Sequence, residues 1–399
     1  MFDDIPEELP QWLKQAPRSC PNPVQAARDL RPVIDAAAAE GASQGYVSDQ
    51  VIRQITEAGI WGLRVPKAFG GAEVDARTYI EVIEELSYAD GSTGWVVMAA
   101  GFAGGGGIGL GASAQKRIYD GNEGIVAAAQ ISKLGKAKRV DGGYRVSGEF
   151  QFGSGSRYSS WFGGAFAVED DGKPVLKDDG TPLALYCITS RDKIRLHGNW
   201  DVFGLAATGS YDFEFVDQVI PDDWVVGLPG HPEVGGPTLK IGVSMGHVSW
   251  ALGTGKRALD EIYSLAKQKR RFQRSTLIDQ PVFQRQYGEH LTAMKAAREL
   301  VFKVYDDWTA AAAAGPVGIE VKAQARLAAC WATEVAHKAA QFAFFSAGSD
   351  GVRNRDGNNP LQRVFRDVQT GATHRHIDGN IALEATQVAL GVADPKLEL

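Results

Sequence analysis

Asp141–Ser156 reads DGGYRVSGEFQFGSGS. An Asp-Gly-Gly turn opens it, a run from Tyr144 to Phe152 follows, and a Gly/Ser loop closes it before apolar residues resume at Trp161. A turn dipeptide, a β-rich run and a second turn are the mark of a strand leaving a hairpin. Similar runs lie at Trp161–Val168, Leu183–Thr189 and Tyr211–Val219, and the last alternates Tyr211, Phe213, Phe215 against Asp212 and Glu214. Asp170-Asp-Gly and Asp178-Asp-Gly punctuate them. This spacing predicts an antiparallel β domain and not a Rossmann unit.

Outward from this stretch the pattern turns helical on both sides. Towards the N-terminus, Pro23–Glu40 is alanine-rich, Ser48–Ala58 carries Val51, Ile52 and Ile55, and Ala76–Tyr88 carries Tyr79, Val82, Ile83 and Leu86 at helical spacing. Towards the C-terminus, Met294, Ala297, Val301, Val304, Trp308 form one apolar stripe, and Ala328, Trp331, Val335, Ala339, Phe342, Phe345 form another. Such three–four stripes suit long bundle helices, interrupted at Gly315-Pro316 and at Ser349–Asn359. The expected class is therefore α+β: a helical domain over 1–122, a middle antiparallel β-barrel domain over 123–232, and a C-terminal four-helix bundle over 233–399.

Composition narrows the function classes. The chain has 399 residues with 42 Lys+Arg against 48 Asp+Glu, a formal charge of −6 that argues against nucleic acid or a basic membrane surface as partner. Cys20, Cys187 and Cys330 are too few and too scattered for a disulfide framework or a CxxC metal knuckle. The opening MFDDIPEELPQW has no apolar h-region, and Trp95–Ala112 is too rich in glycine for a membrane span. A cytoplasmic protein with no metal is expected.

Two local patterns invite functional readings. Gly104, Gly106 and Gly109 match GxGxxG, but no strand precedes them, so a close helix approach or a loop over a pocket is the better reading. His374, His376 and Asp378 form HxHxD, which alone is weak as a metal site and reads by default as surface or helix-cap material. The remaining histidines, His197 and His247 among them, have no partner nameable from sequence.

Five motifs in order carry a resemblance that spans most of the chain. They are GIWGLRVPKAFGG at Gly59–Gly71, ADGSTGW at Ala89–Trp95, DGGYRVSG with FGSGS ending at Ser156, GLAATGSYD at Gly204–Asp212 followed by Val219-Ile-Pro, and PLQRVFRD at Pro360–Asp367 with His374 beyond it. Together they resemble the acyl-CoA dehydrogenase superfamily, and more narrowly its two-component flavin-dependent monooxygenases. The resemblance implies the acyl-CoA dehydrogenase-like fold just outlined, usually assembled as a dimer or homotetramer.

Chemistry selects the branch. A dehydrogenase of this superfamily needs a carboxylate base over the flavin to take an α-proton. In most relatives that Glu follows the Arg-Asp pair by eight or nine residues, where this chain has His374 and Arg375. In others it lies at the start of the first C-terminal helix, where PTLKIGVSMGHVSW (Pro237–Trp250) holds no acid. The resemblance thus implies an oxygenase component that uses reduced FAD or FMN and O2, through a C4a-hydroperoxide, to hydroxylate a small aromatic substrate of phenol or indole type. A separate flavin reductase would supply the flavin by diffusion. By the same resemblance Ser154 is the hydroxyl near flavin N5, and His374, of ordinary pKa about 6.5, stands over the flavin as acid or base. Ser156, Gln130, Arg270, Arg271 and Phe272 are implied cofactor contacts, and Trp95 with His376 is the implied substrate wall. Ala206-Ala207 stand where the branch usually has Arg-Gly. Two other readings remain: an acyl-CoA dehydrogenase-like flavin dehydrogenase, and a non-catalytic paralogue acting in binding or assembly.

Overall fold

The computed structural model describes residues 5–178, 180–232, 234–270, 275–354, 358–397 and 399, apart from the side chains of 102 and 103. The N-terminal part holds α1 (Gln11–Lys14), α2 (Pro23–Gln44), α3 (Asp49–Glu57), α4 (Ala76–Ala89), α5 (Gly91–Gly105) and α6 (Ala112–Asp120). The middle part is a sheet of β1 (Ala127–Val140), β2 (Gly143–Gly153), β3 (Trp161–Asp170), β4 (Lys173–Pro174), β5 (Ala184–Ser190), β6 (Ile194–Leu196), β7 (Tyr211–Pro221) and β8 (Val225–Val226). The C-terminal part holds α7 (Ser244–Ala266), α8 (Pro281–Ala314), α9 (Ile319–Ala347), α10 (Ser349–Val352), α11 (Pro360–Gly371) and α12 (Gly379–Leu390). α9 packs against α7, α8, α11 and α12, and α4 closes on α7 from the N-terminal side. This is the helix–sheet–helix order expected. No helix among the described residues is long and apolar enough to cross a membrane.

The sheet departs from the expectation in one respect. Its order is β6-β7-β2-β1-β3-β5-β8, with β4 on β3, and β1 pairs β3 in parallel while the other ladders are antiparallel. The sequence reading missed β1 because AAAQISKLGKAKRV lacks clean alternation. With β1 in place, β2 folds back on one side of it. Residues 154–160 then cross its start, where the Ser160 N–H donates to Val126 C=O at 2.9 Å, and β3 arrives on the other side in the direction of β1. No ladder joins β6 to β8 among the described residues. One face of the sheet buries Phe150, Phe162, Phe166, Phe213 and Phe215 as a core of its own. The helices share a second core that runs through N- and C-terminal parts alike.

That crossing segment brings the Gly/Ser loop against α5. Phe152 has φ of 61° and Gly155 of 76°. A side chain on Gly155 would stand 3.0 Å from the Ala100 Cβ of α5, so glycine lets the helix approach. The glycine run divides between the end of α5 and a 3-10 turn at Gly106–Gly109, with no strand before it, as expected.

Candidate active site

Three of the motifs meet in a buried knot that holds the site in shape. Asp90 caps α5, its Oδ2 accepting the Thr93 N–H at 2.8 Å and the Thr93 O–H at 2.9 Å. The Arg363 Nε lies 3.4 Å from Asp90 Oδ1. Asp367 accepts the Leu205 N–H at 2.6 Å. Burial first, and the nearby Asp90 second, push the Asp367 carboxyl above the usual carboxylate range. Around this knot the helices come very close. A Cβ on Gly94 would lie 2.0 Å from Ser87 Oγ, and one on Gly371 would lie 2.1 Å from the Trp250 ring. Trp250 in turn donates its indole N–H to Gly91 C=O at 2.9 Å and stands edge-on to Trp95, 5.0 Å between centroids.

Trp95 is the hinge between two polar groups. Its Nε1–H donates to Ser154 Oγ at 3.1 Å. Ser154 Oγ lies 2.9 Å from Ser210 Oγ, which lies 2.7 Å from Thr208 Oγ1. Thr208 donates to Leu205 C=O at 2.9 Å, so its proton is committed. The relay therefore has one polarity: Trp95 N–H to Ser154, Ser154 O–H to Ser210, Ser210 O–H to Thr208. Ser154 is left with a lone pair to offer and no proton.

On its other side Trp95 meets a histidine cluster. His374 lies 5.5 Å and His247 5.2 Å from the Trp95 ring, centroid to centroid. His247 and His374 are 4.1 Å apart and only 31° from parallel, with His376 at 5.4 Å from His374 and 5.8 Å from His247. The partners fix the tautomers of the neutral rings. The His247 Nδ1–H donates to Val243 C=O at 3.0 Å, so Nε2 is its acceptor. His374 Nδ1 accepts the His376 backbone N–H at 3.4 Å, so Nε2 carries its proton. The Arg326 Nη1 donates to His376 Nδ1 at 3.2 Å, so Nε2 is again the donor. Burial, then the charge of Arg326, push His374 down to about 4. The same two causes push His376 down to about 3. His247, enclosed and facing the other two rings, is held well below its ordinary value by burial first. All three are neutral at pH 7. Asp378, the carboxylate that acts on His374, caps α12, accepting the Asn380 and Ile381 N–H groups at 2.8 and 3.1 Å. Among the described residues no metal-ligating trio forms, and the cluster's charged neighbour is a cation.

The sequence-derived residues divide accordingly. Trp95, Ser154, His374 and His376 converge. Gln130 does not join them: its Nε2 donates to Gln151 C=O at 3.0 Å, and its Oε1 accepts the Ile131 and Ser132 N–H groups, folding the side chain onto its own strand. Ser156 is fully buried and donates to Gly209 C=O at 3.0 Å, closing the turn with no hydroxyl left for a ligand. Arg270 is exposed, while Arg271 and Phe272 lie outside the described residues. Sequence reasoning missed His247, Arg326, Ser210 and Trp250. His247, a histidine with no partner nameable from sequence, lies in the Pro237–Trp250 stretch, and Arg326 is a lone cation on the buried stripe of α9 with Ala329 and Thr333.

A flat heteroaromatic cofactor suits the ground beside Ser154. Ile131 and Phe152 are 51% and 59% exposed, a high exposure for large apolar groups. Phe152 packs edge-on to Trp200, and the Gln130 bond to Gln151 ties Ile131 to the same corner. An exposed apolar shelf next to a hydroxyl that accepts but does not donate matches a flavin ring presenting an N–H.

Comparison with known proteins places the chain among relatives of the same fold. The acyl-CoA dehydrogenase N-terminal domain model matches residues 25–119, and the C-terminal domain model matches residues 245–379. An indole-3-acetate monooxygenase of Pseudomonas putida is 28% identical, over 83% of this chain and 84% of its own. The oxygenase subunit HsaA, a flavin-dependent monooxygenase of Rhodococcus jostii, is 26% identical over 86% of this chain and 92% of its own. The fold matches XiaF from a Streptomyces species, solved with FADH2 and glycerol, at a TM-score of 0.82 and 23% identity, covering 94% and 96% of the two chains. Fold and site thus define a flavoenzyme of the helix–sheet–helix type. The chain belongs to the acyl-CoA dehydrogenase superfamily, in its flavin-dependent monooxygenase branch.

Proposed function

We propose that this chain is the oxygenase component of a two-component system that hydroxylates a small aromatic substrate, with reduced FAD or FMN brought by a separate reductase. One observation carries the reading: where a dehydrogenase needs a carboxylate base, three neutral histidines and an arginine stand instead. When bound, the reduced flavin supplies the two electrons with which one atom of O2 enters the ring and the other leaves as water.

The chain's own residues do the rest. Trp95 and Trp250 wall the site and keep water from it. The Ser154 lone pair accepts an N–H such as that of reduced flavin at N5. The expectation of His374 as a base is revised by its surroundings. With its pKa at about 4 and a phenol near 10, full proton transfer would cost about 8 kcal/mol. His374 therefore serves as a hydrogen-bond donor through Nε2–H, and His247 Nε2 as the acceptor for a ring O–H or N–H. A cytoplasmic homotetramer is part of the same reading. Its supports are the free cysteines and a groove of about 450 Å³ between α8 and α9, where Val282 and Phe345 stay exposed and available to a second bundle.

Anaerobic mixing with reduced FMN or FAD, followed by oxygen in a stopped-flow spectrophotometer, tests the proposal. A near-ultraviolet transient that outlives the oxidation of free flavin is expected, with hydroxylated product when a phenol or indole is present. Ser154→Ala should shorten the transient about tenfold, the worth of one hydrogen bond to a polar partner. His374→Ala should lower product yield more than transient formation. Direct appearance of oxidised flavin and hydrogen peroxide at the free-solution rate, with either flavin, would refute the reading.

A further inference from the structure

Arg326 is out of place for a structural residue. It lies on the buried stripe of α9 and is 8% exposed, yet no Asp or Glu oxygen among the described residues comes within 4 Å of its guanidinium. Buried Arg257 has Asp35 and Glu261, and buried Arg363 has Asp90. Arg326 instead spends Nη1 on His376, at 3.2 Å to Nδ1 and 3.3 Å to the carbonyl, and its Nε has no hydrogen-bond partner. The nearby Cys330 thiol is pushed up to about 11 and the Tyr305 hydroxyl higher still, both by burial, so neither supplies a negative charge at pH 7. Glu384 on α12 acts on Arg326 only from beyond contact distance. An enclosed cation with no carboxylate in contact costs several kcal/mol, and a chain that keeps one gains when an anion arrives.

The groups around it are donors. His376, whose Nδ1 is taken by Arg326, presents Nε2–H, and His374 presents Nε2–H beside it. A guanidinium and two neutral imidazole rings lie together beside the Trp95 indole. Resting on the reading of an aromatic-hydroxylating site, we propose that the substrate carries a carboxylate on a short arm, that Arg326 with His376 binds it, and that the aromatic ring lies towards Trp95 and His374.

Calorimetric titration of the flavin-loaded protein with matched pairs tests this: 4-hydroxyphenylacetate against its amide, and indole-3-acetate against its amide. At least one acid should bind tenfold or more tighter than its amide. Arg326→Met should abolish that preference while leaving amide affinity within about threefold, and Arg326→Lys should restore part of it. Equal affinities in both pairs, no acid binding at millimolar concentration, or an equal loss for acid and amide in Arg326→Met would overturn the proposal, the last by reducing Arg326 to a tie on the His376 turn. If the methionine variant does not fold, the acid–amide ratio of the parent decides. Product analysis keeps the two readings apart. Amides hydroxylated as fast as acids would leave the oxygenase reading standing and sink the carboxylate. Acid-selective binding without any oxygen-dependent transient would do the reverse.

Discussion

The histidine cluster makes the fold sensitive to acid in a way that can be worked out and isolated. In the unfolded chain each ring titrates near about 6.5. Folded, His374 is lowered to about 4 and His376 to about 3. A histidine whose folded pKa is depressed contributes stability that is complete above the unfolded pKa and is lost as pH falls towards the folded one. In the window between, the unfolded chain holds nearly one more proton per ring. Each ring then gives a slope of about 1.4 kcal/mol per pH unit, and from pH 6.0 to 4.5 the pair amounts to at most about 3.5 kcal/mol. Asp367 and Glu84, both raised chiefly by burial, act with the opposite sign and blur the profile of the parent protein. The double variant His374→Asn/His376→Asn removes the blur. Asn Oδ1 stands where Nδ1 does, so the bonds from the His376 N–H and from Arg326 have an acceptor, and only the titration is lost. Urea unfolding at half-unit pH steps, read by tryptophan fluorescence because Trp95 abuts the cluster, should show the parent losing stability to the variant progressively below pH 6.5. Parallel profiles for parent and variant down to pH 4.5 would mean the rings are not held neutral in the native protein, and the donor and acceptor roles assigned above would fall with that premise.

Two further substitutions test how the site is held. Gly371→Ala puts a methyl 2.1 Å from the Trp250 ring, and overpacking of this kind costs about 1–3 kcal/mol; a melting temperature lower by several degrees is expected, and an unchanged one would show that Trp250 has room to yield. Trp95→Phe keeps the aromatic wall but deletes the donor to Ser154, about 1 kcal/mol of hydrogen bonding; titration with reduced flavin should give roughly fivefold weaker binding, whereas unchanged binding would detach Trp95 from the serine relay.

Much of the fold is legible in the sequence because helix and strand periods are local. Pro23–Gln44, Asp49–Glu57 and Ala76–Ala89 come within a few residues of the stretches their apolar spacing marks out. β1 escapes because its early residues pack as a central strand while its middle is exposed, so no single alternation runs through it. With β1 missing, the parallel β1–β3 ladder could not be foreseen. The site was legible only where a motif carried it. Trp95, Ser154 and His374 lie inside motifs, whereas His247 and Arg326 are single polar residues in helices, and only the packing of α7 and α9 against the turn after α11 shows that they meet. Ser156 shows the converse: a motif residue whose hydroxyl serves the turn.

This division has a consequence for specificity. Asp90, Leu205, Arg363 and Asp367 engage one another and so fix the distance between α5, the 204–210 loop and α11. Residues bound into such a knot cannot vary to suit a substrate without loosening the frame. Ala207 illustrates the limit, with its Cβ 3.2 Å from where a Gly41 side chain would begin and its N–H turned to Ser92 Oγ at 3.3 Å. Where the resemblance leads one to expect arginine, this loop offers no cation, and the cation beside the histidines comes from α9 instead. If the proposed carboxylate site holds, discrimination among aromatic substrates falls to side chains anchored on the bundle, His247 within the cluster and Arg326 beside it, which belong to no motif. Exchanging these two between relatives of this branch should move substrate preference further than exchanging any residue of the motifs that identify it.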